Sequence, residues 1–388
     1  MLTVLVGACQ GGAVDGTAGP MGAGDSNGAP AFAPAESVLP RLTDDQYRNA
    51  MVDLFGDPIP NVSLEADTQP HLFSTIGASL TTISENGVGS WEQAALDITA
   101  AVFGDGPRRT ALLGCEPVGA GDTCTRDFLE RFGFRAWRRP LEQEELTRYV
   151  DVARRTANGD PWAGVRYATA GMLTSPFFLY RVELGEIDPE RTTRRRYTSY
   201  EMASRLALFL WGTIPDELLL RAAANDDLVT EAGVREQAER MIADKARLRA
   251  AFKHFFAEYL SLNKLDALDR DATLFPTATP ALGVAMRTEV ERLFERVLID
   301  EDTDFHEVFT ARHTTVNSEL AALYGVDAPG ATDASTWVDV ELPVDGPRRA
   351  HDHGGDPFDC VACRSLIADP ARPVRARALA LRIRSASP

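Results

Sequence analysis

The chain has only five cysteines and six histidines in 388 residues, and neither type clusters as a metal centre would need. No H-E-x-x-H spacing occurs, and His254, His306 and His313 are too scattered to propose a metal site. There is no P-loop and no G-x-G-x-x-G, so no signature of a nucleotide enzyme is present. No apolar run reaches the roughly 20 residues that a membrane-spanning helix requires. Strand-like alternation is nearly missing, with WVDVEL (Trp337–Leu342) as the one clear stretch. Positive charge is in short supply: 40 Lys and Arg stand against 57 Asp and Glu, a net charge of −17. That balance argues against contact with a phosphate backbone, so no nucleic-acid partner is expected.

What the chain has in quantity is helical periodicity. Thr43 and Gln46 form a capping box ahead of Tyr47, Met51, Leu54 and Phe55, and Gly56 ends that helix. Asp57 to Asn86, with three prolines, reads as loop plus a short helix, and Trp91 to Phe103 as helix. Thr198 and Glu201 form a second capping box, followed by Met202, Leu206, Phe209 and Leu210 as one apolar face. Further stripes are Leu146, Tyr149 and Val150; Val234, Ala238, Met241 and Ile242; and Val290, Leu293, Phe294, Val297 and Leu298. Leu248, Phe252, Phe255, Phe256 and Tyr259 mark a strongly aromatic face. These runs predict an all-α, multi-helix bundle with long irregular loops and minor β structure near 337–342. The length allows one large domain or two to three ordinary ones.

The N-terminal MLTVLVGAC resembles a bacterial lipobox, with Val6-Gly7-Ala8-Cys9 as cleavage site and Cys9 as the lipidated residue, although the charged leader of a signal peptide is missing. The competing reading is a disordered cytosolic N-terminus. Gln10 to Ala35, rich in Gly, Ala and Pro, suits a flexible tether. On the lipobox reading the protein is an exported lipoprotein facing the periplasm or cell surface, and only the lipid touches the membrane. Cys115 and Cys124 close a small Gly/Pro-rich loop; a disulfide is expected in an oxidising compartment, and a metal site would lack nearby His or further Cys. The lipobox and the bridge support each other.

Four ordered stretches carry a family resemblance. RLTDDQYRNAMVDLFG (Arg41–Gly56), FLERFGFRAWRRPLEQEEL (Phe128–Leu146), SPFFLYRVE with YEMASRLALFLWGTIPDELL, and LFPTATPALGVAMRTEVERLFERVL with TTVNSELAALYGV (Leu274–Val326) follow one another. In that order they resemble the DUF1587, DUF1595, DUF1592 and DUF1588 modules of an uncharacterised family from planctomycetes and myxobacteria. The implied modules span 39–125, 126–165, 166–265 and 266–349. The family is linked to cytochrome c, so the resemblance implies that haem c belongs to a full-length version and that a cytochrome or other periplasmic redox protein is a partner. It implies no cofactor in this chain.

From Ala350 helical periodicity vanishes, and the family's usual ending does not follow. Codons for His-Asp-His-Gly-Gly-Asp, read one nucleotide later, can encode Met-Thr-Thr-Ala-Gly-Ile, which fits the family's continuation. Residues 350–388 are therefore read as out-of-frame or disordered text on a truncated chain, and His351 and His353 are set aside. Cys360-Val-Ala-Cys363 has redox spacing, but Arg364 stands where a haem-ligating His would be.

Cleft candidates come from the family-like motifs: Arg181, Glu183, Glu201, Arg205 and Asp216, with Glu217 beside them. The other reading of these residues is a set of salt bridges and caps that pin helices together. His254, beside the aromatic face, reads as a packed or surface histidine. Two functions stay open: the scaffold or substrate-side body of a periplasmic cytochrome-linked redox system, or a non-enzymatic, lipid-anchored binding platform.

Overall fold

The computed structural model describes residues 38–268, 271, 273 and 278–343. Cys9, the tether up to residue 37, and the whole tail with Cys360, Cys363 and Arg364 lie outside the described residues. Among those described, fifteen helices and two small two-stranded sheets confirm a mostly α protein.

The first half is built from α1 (Asp44–Phe55), α2 (Ser74–Leu80), α3 (Glu85–Gly104), α4 (Gly106–Leu113), α5 (Thr123–Ala136), α6 (Gln143–Thr156), α7 (Pro161–Leu173) and the single turn α8 (Pro176–Leu179). Side chains with oxygen acceptors sit where the orphan amides of these helices need them. Thr43 accepts from the Gln46 amide while the Gln46 side chain accepts from the Thr43 amide, completing the expected box. Ser84, Asp105, Asp122 and Asp160 cap α3, α4, α5 and α7. One continuous core results, with Tyr47, Trp91, Ile98, Leu129, Leu173 and Phe178 sealed from water. The Tyr47 and Trp91 rings meet edge to face at 4.7 Å, a geometry favoured by the ring quadrupoles. Gly164 lets α7 lie against α6, since a Cβ there would meet the Ala153 carbonyl oxygen at 2.4 Å.

The Arg-rich link then forms a ladder that its composition did not suggest. β1 (Glu186–Ile187) pairs antiparallel with β2 (Arg195–Arg196). It leads into α9 (Ser199–Leu210), opened by the Thr198/Glu201 box. The buried stripe of α9 is Ala203, Leu206, Ala207 and Leu210, packed on α10 (Glu217–Ala224) and α11 (Glu231–Ala243). Phe209, expected on that face, is 56 % exposed. At about 100° per residue it falls roughly 120° from the centre of the stripe, and small alanines do the packing instead.

The last region comprises α12 (Lys245–Tyr259), α13 (Pro280–Glu295), α14 (Glu307–Thr310), β3 (His313–Val316), α15 (Ser318–Tyr324) and β4 (Val338–Glu341). A π-helical turn, Arg296–Asp300, extends α13. The expected strand in WVDVEL is β4, and its antiparallel partner β3 hides in the TTV of a stretch read as helical. Four residues are too few to show a period, although β-branching favours a strand there. The core here is Phe256, Leu262, Met286, Val290, Phe294 and Leu320. Of the aromatic face of α12, Leu248 and Phe256 are buried, whereas Phe255 and Tyr259 remain 48 % and 36 % exposed.

Candidate functional site

The family-like motifs converge on one segment, residues 177–183. Its backbone is paired at once by the N-terminal strand: the Leu42 amide donates to Leu179 O at 2.7 Å and the Arg181 amide to Pro40 O at 2.8 Å. From FRAWRRP, Trp137 Nε1 donates to Met172 O at 3.1 Å. Arg138, buried and left-handed at φ 62°, donates to the carbonyls of Ala136, Phe177, Phe178 and Tyr180 at 2.8–3.2 Å. A buried cation satisfied by backbone oxygens alone is costly to hold charged; burial pushes its pKa down to about 10, with Arg181 and Arg139 adding repulsion. Arg139 lies over the Phe177 ring at 4.4 Å and pairs with Glu145, the residue that boxes the N-terminus of α6. Arg41 is buried too, paired with Asp67 at 2.7 Å. Burial raises the Asp67 carboxyl above its ordinary range, outweighing the Asp44 amide and Arg41 that favour the charged form.

Four of the five cleft candidates meet at the exit of this segment. Glu183 sits between Arg181, at 2.5 Å, and Arg205, at 2.6 Å. Arg205 also donates to Tyr197 OH at 3.2 Å and covers its ring at 4.5 Å. Burial lowers the Arg181 pKa, opposed by Glu183. Glu201 splits its carboxylate: one oxygen completes the Thr198 box and the other accepts from the Gly185 amide at 2.8 Å. The fifth candidate is elsewhere. Asp216 caps α10 through the Leu219 amide and pairs with both terminal nitrogens of Arg240 at 2.9 and 3.0 Å. Glu217 pairs with Arg221 on the surface of the same helix. Chemically, this is an interlocked set of arginines and carboxylates joining helix ends, strand link and loop.

His254 belongs to a second junction. Its Nδ1 is 2.9 Å from Asp45 and its Nε2 is 3.6 Å from Glu258. Glu258, itself buried, accepts from the Ser74 amide at 3.0 Å and from Gln69 at 3.2 Å. The hydrogen bond to Asp45 raises the histidine pKa and lowers that of Asp45. Nearby, α1 reaches the later helices through Asn49 to Gly212 O, Asp53 to Thr213, and Asp53 to Arg247. The sequence offered no sign of these three contacts, because their partners lie 160–194 positions apart. Glu289 was also missed: it is buried on α13 and accepts from Thr314 and Tyr324, both at 2.5 Å.

Cys115 and Cys124 form the expected disulfide. Covalent haem c needs two free cysteine thiols and a histidine ligand. The two described cysteines are bonded to each other, so no haem attachment site fits among the described residues. No group of three or more His, Cys, Asp and Glu side chains there is arranged to hold a metal ion. No described helix is long and apolar enough to cross a membrane.

Comparison with known families places these junctions. Residues 41–104 match a protein family of unknown function, DUF1587, and residues 124–183 match DUF1595. Residues 197–326 match a third family of unknown function, DUF1592. The three matches, in this order, are consistent with the DUF1592 family and its two neighbours ahead of it. SPFFLYRVE falls within the DUF1595 match, whereas the DUF1592 match runs on through the segment that resembled DUF1588. No curated protein and no solved structure matches the chain. The 177–183 segment is thus the end of DUF1595, clasped by the first residues of DUF1587 and tied to the first helix of DUF1592.

Proposed function

We propose that this protein is the helical scaffold, or substrate-side body, of an exported redox system whose haem is carried by a cytochrome. The observation that carries the reading is the junction at 177–183. Motif residues of all three modules are tied in around it: Arg41 pairs with Asp67, Arg138 closes backbone carbonyls, and Glu183 joins Arg181 to Arg205, the arrangement of a rigid body that presents surfaces. The Cys115–Cys124 bridge suits an oxidising compartment. A net charge of −17 favours a basic protein partner.

A lipid-anchored binding platform is the second reading, favoured by a different observation. Phe73, Phe255 and Tyr259 lie nearly parallel, with interplanar angles of 8–19° and centroids 5.4–6.5 Å apart. Phe255 and Tyr259 are partly open to solvent. Such a patch is a natural contact surface.

The deciding experiment expresses the natural gene in a bacterium that matures c-type cytochromes, then fractionates the cell. The scaffold reading expects a membrane-associated periplasmic protein that stains for haem or co-purifies with a haem protein. Export with no haem protein attached moves the platform reading ahead. A cytosolic protein with reduced Cys115 and Cys124 sinks both.

A further inference from the structure

A pocket of 340 Å³ opens where α1, α4, α5 and α10 meet, at the small end of the roughly 300–1,000 Å³ typical of ligand sites. Its floor is apolar: Leu54, Phe128, Phe132 and Leu220. Its rim carries three arginines, Arg131, Arg135 and Arg221, against one carboxylate, Glu217. In a chain of net charge −17 that local excess of positive charge runs against the average. The guanidiniums are anchored without being used up. Arg131 donates to Leu113 O at 2.7 Å and Arg135 to Asp53 O at 2.5 Å, each through one terminal nitrogen. Arg221 meets Glu217 only at 3.3 Å, with both side chains well exposed. Among the described residues the remaining N–H groups of this rim have no protein acceptor. The pocket also draws one wall from each matched module, the kind of place where ligand sites form.

We infer that this pocket binds a small amphiphilic anion, with its apolar body on the two phenylalanines and its carboxylate among the three arginines. Burying a chain or ring on that floor supplies the affinity. Planar, forked donors on opposite walls select a carboxylate over a neutral head. The proposal does not depend on the redox or platform reading.

The test uses octanoate, with 1-octanol as its neutral counterpart, titrated calorimetrically into the purified chain at low salt. Octanoate binds saturably and at least about tenfold more tightly than 1-octanol, the difference of one charge-assisted hydrogen bond. Arg131→Gln with Arg221→Gln removes that preference while leaving 1-octanol binding unchanged, because both side chains are exposed and outside the cores. Arg148→Gln, on the far helix α6, changes neither. Absence of saturable octanoate binding, equal binding of acid and alcohol, or an unaltered preference in the double variant would each overturn the assignment. A circular dichroism spectrum of the double variant confirms that it is folded. If it is not, Arg221→Gln alone, tested against wild type with octanoate, decides the matter by the same criterion.

Discussion

The first half of the molecule and its last region solve the same problem in different ways. Up to residue 183 a large apolar core does the holding, and charge is turned inward onto the backbone, as when Arg138 closes four carbonyls. From α12 onward the core is smaller, and its elements are laced at the surface by ion pairs. Lys253 pairs with Glu295, Arg287 with Asp266 and Glu291, Arg296 with Asp339, and Arg312 with Glu341. Exposed pairs contribute about 0–1 kcal/mol each and weaken in salt. The contrast teaches that the DUF1587–DUF1595 half is set by packing and the end of DUF1592 more by solution conditions.

The strongest way to break the contrast is to cut the inward-turned charge. Arg138→Ala strands four carbonyls around a buried cavity, and a loss of about 3–5 kcal/mol is expected in urea unfolding. A loss below about 1 kcal/mol would show that the clamp is incidental. Next comes the disulfide. Cys115→Ser frees a loop with a sequence separation of 9, and the chain-entropy relation gives about 2–3 kcal/mol. Thermal unfolding with and without reductant measures the same quantity on the wild type.

A third test sharpens the link between the two regions. His254 has a raised pKa, so its contribution is complete below the ordinary value of 6.5 and fades as pH rises through the folded value. Asp45 has a lowered pKa, so its contribution is present above the ordinary 3.8 and fades as pH falls through the folded value. The contact between α1 and α12, which also involves Glu258, Asp67 and Arg48, is therefore strongest between about 4 and 6.5. His254→Gln should cost about 1 kcal/mol at pH 6 and flatten the stability profile between pH 6 and 8. An unchanged profile would assign that pH dependence elsewhere. The smallest expected effect is that of salt. At about 1 M, where screening acts within ~3 Å, amide exchange in α13 and α15 should speed up while α3 and α7 hold steady. Equal acceleration in both would erase the distinction.

Much of the fold was legible in the sequence because its signals are local. A cap is written in residues three apart, as with Thr43–Gln46 and Thr198–Glu201, and a small cysteine loop in residues nine apart. The candidate site was legible only in part. Glu183 and Arg205 stood out because they lie in the family-like motifs, and they do meet. Asp216 stood out on the same grounds and serves another helix. Arg138, within the FRAWRRP motif, gave no sign of its role, because its acceptors are backbone carbonyls, which every residue possesses. His254 looked ordinary because Asp45 is far back in the chain.

The clasp at 177–183 also dictates an order of events during biosynthesis. The Leu42 amide takes its acceptor from Leu179, so this edge of the first matched module stays open until the second has been made. A ribosome that has delivered only DUF1587 holds an unfinished edge and an uncovered Tyr47–Trp91 pair, exposed to chaperones and to neighbouring chains. Synthesis of residues 176–181 is the moment at which that exposure ends, and a fragment stopping before them inherits it permanently.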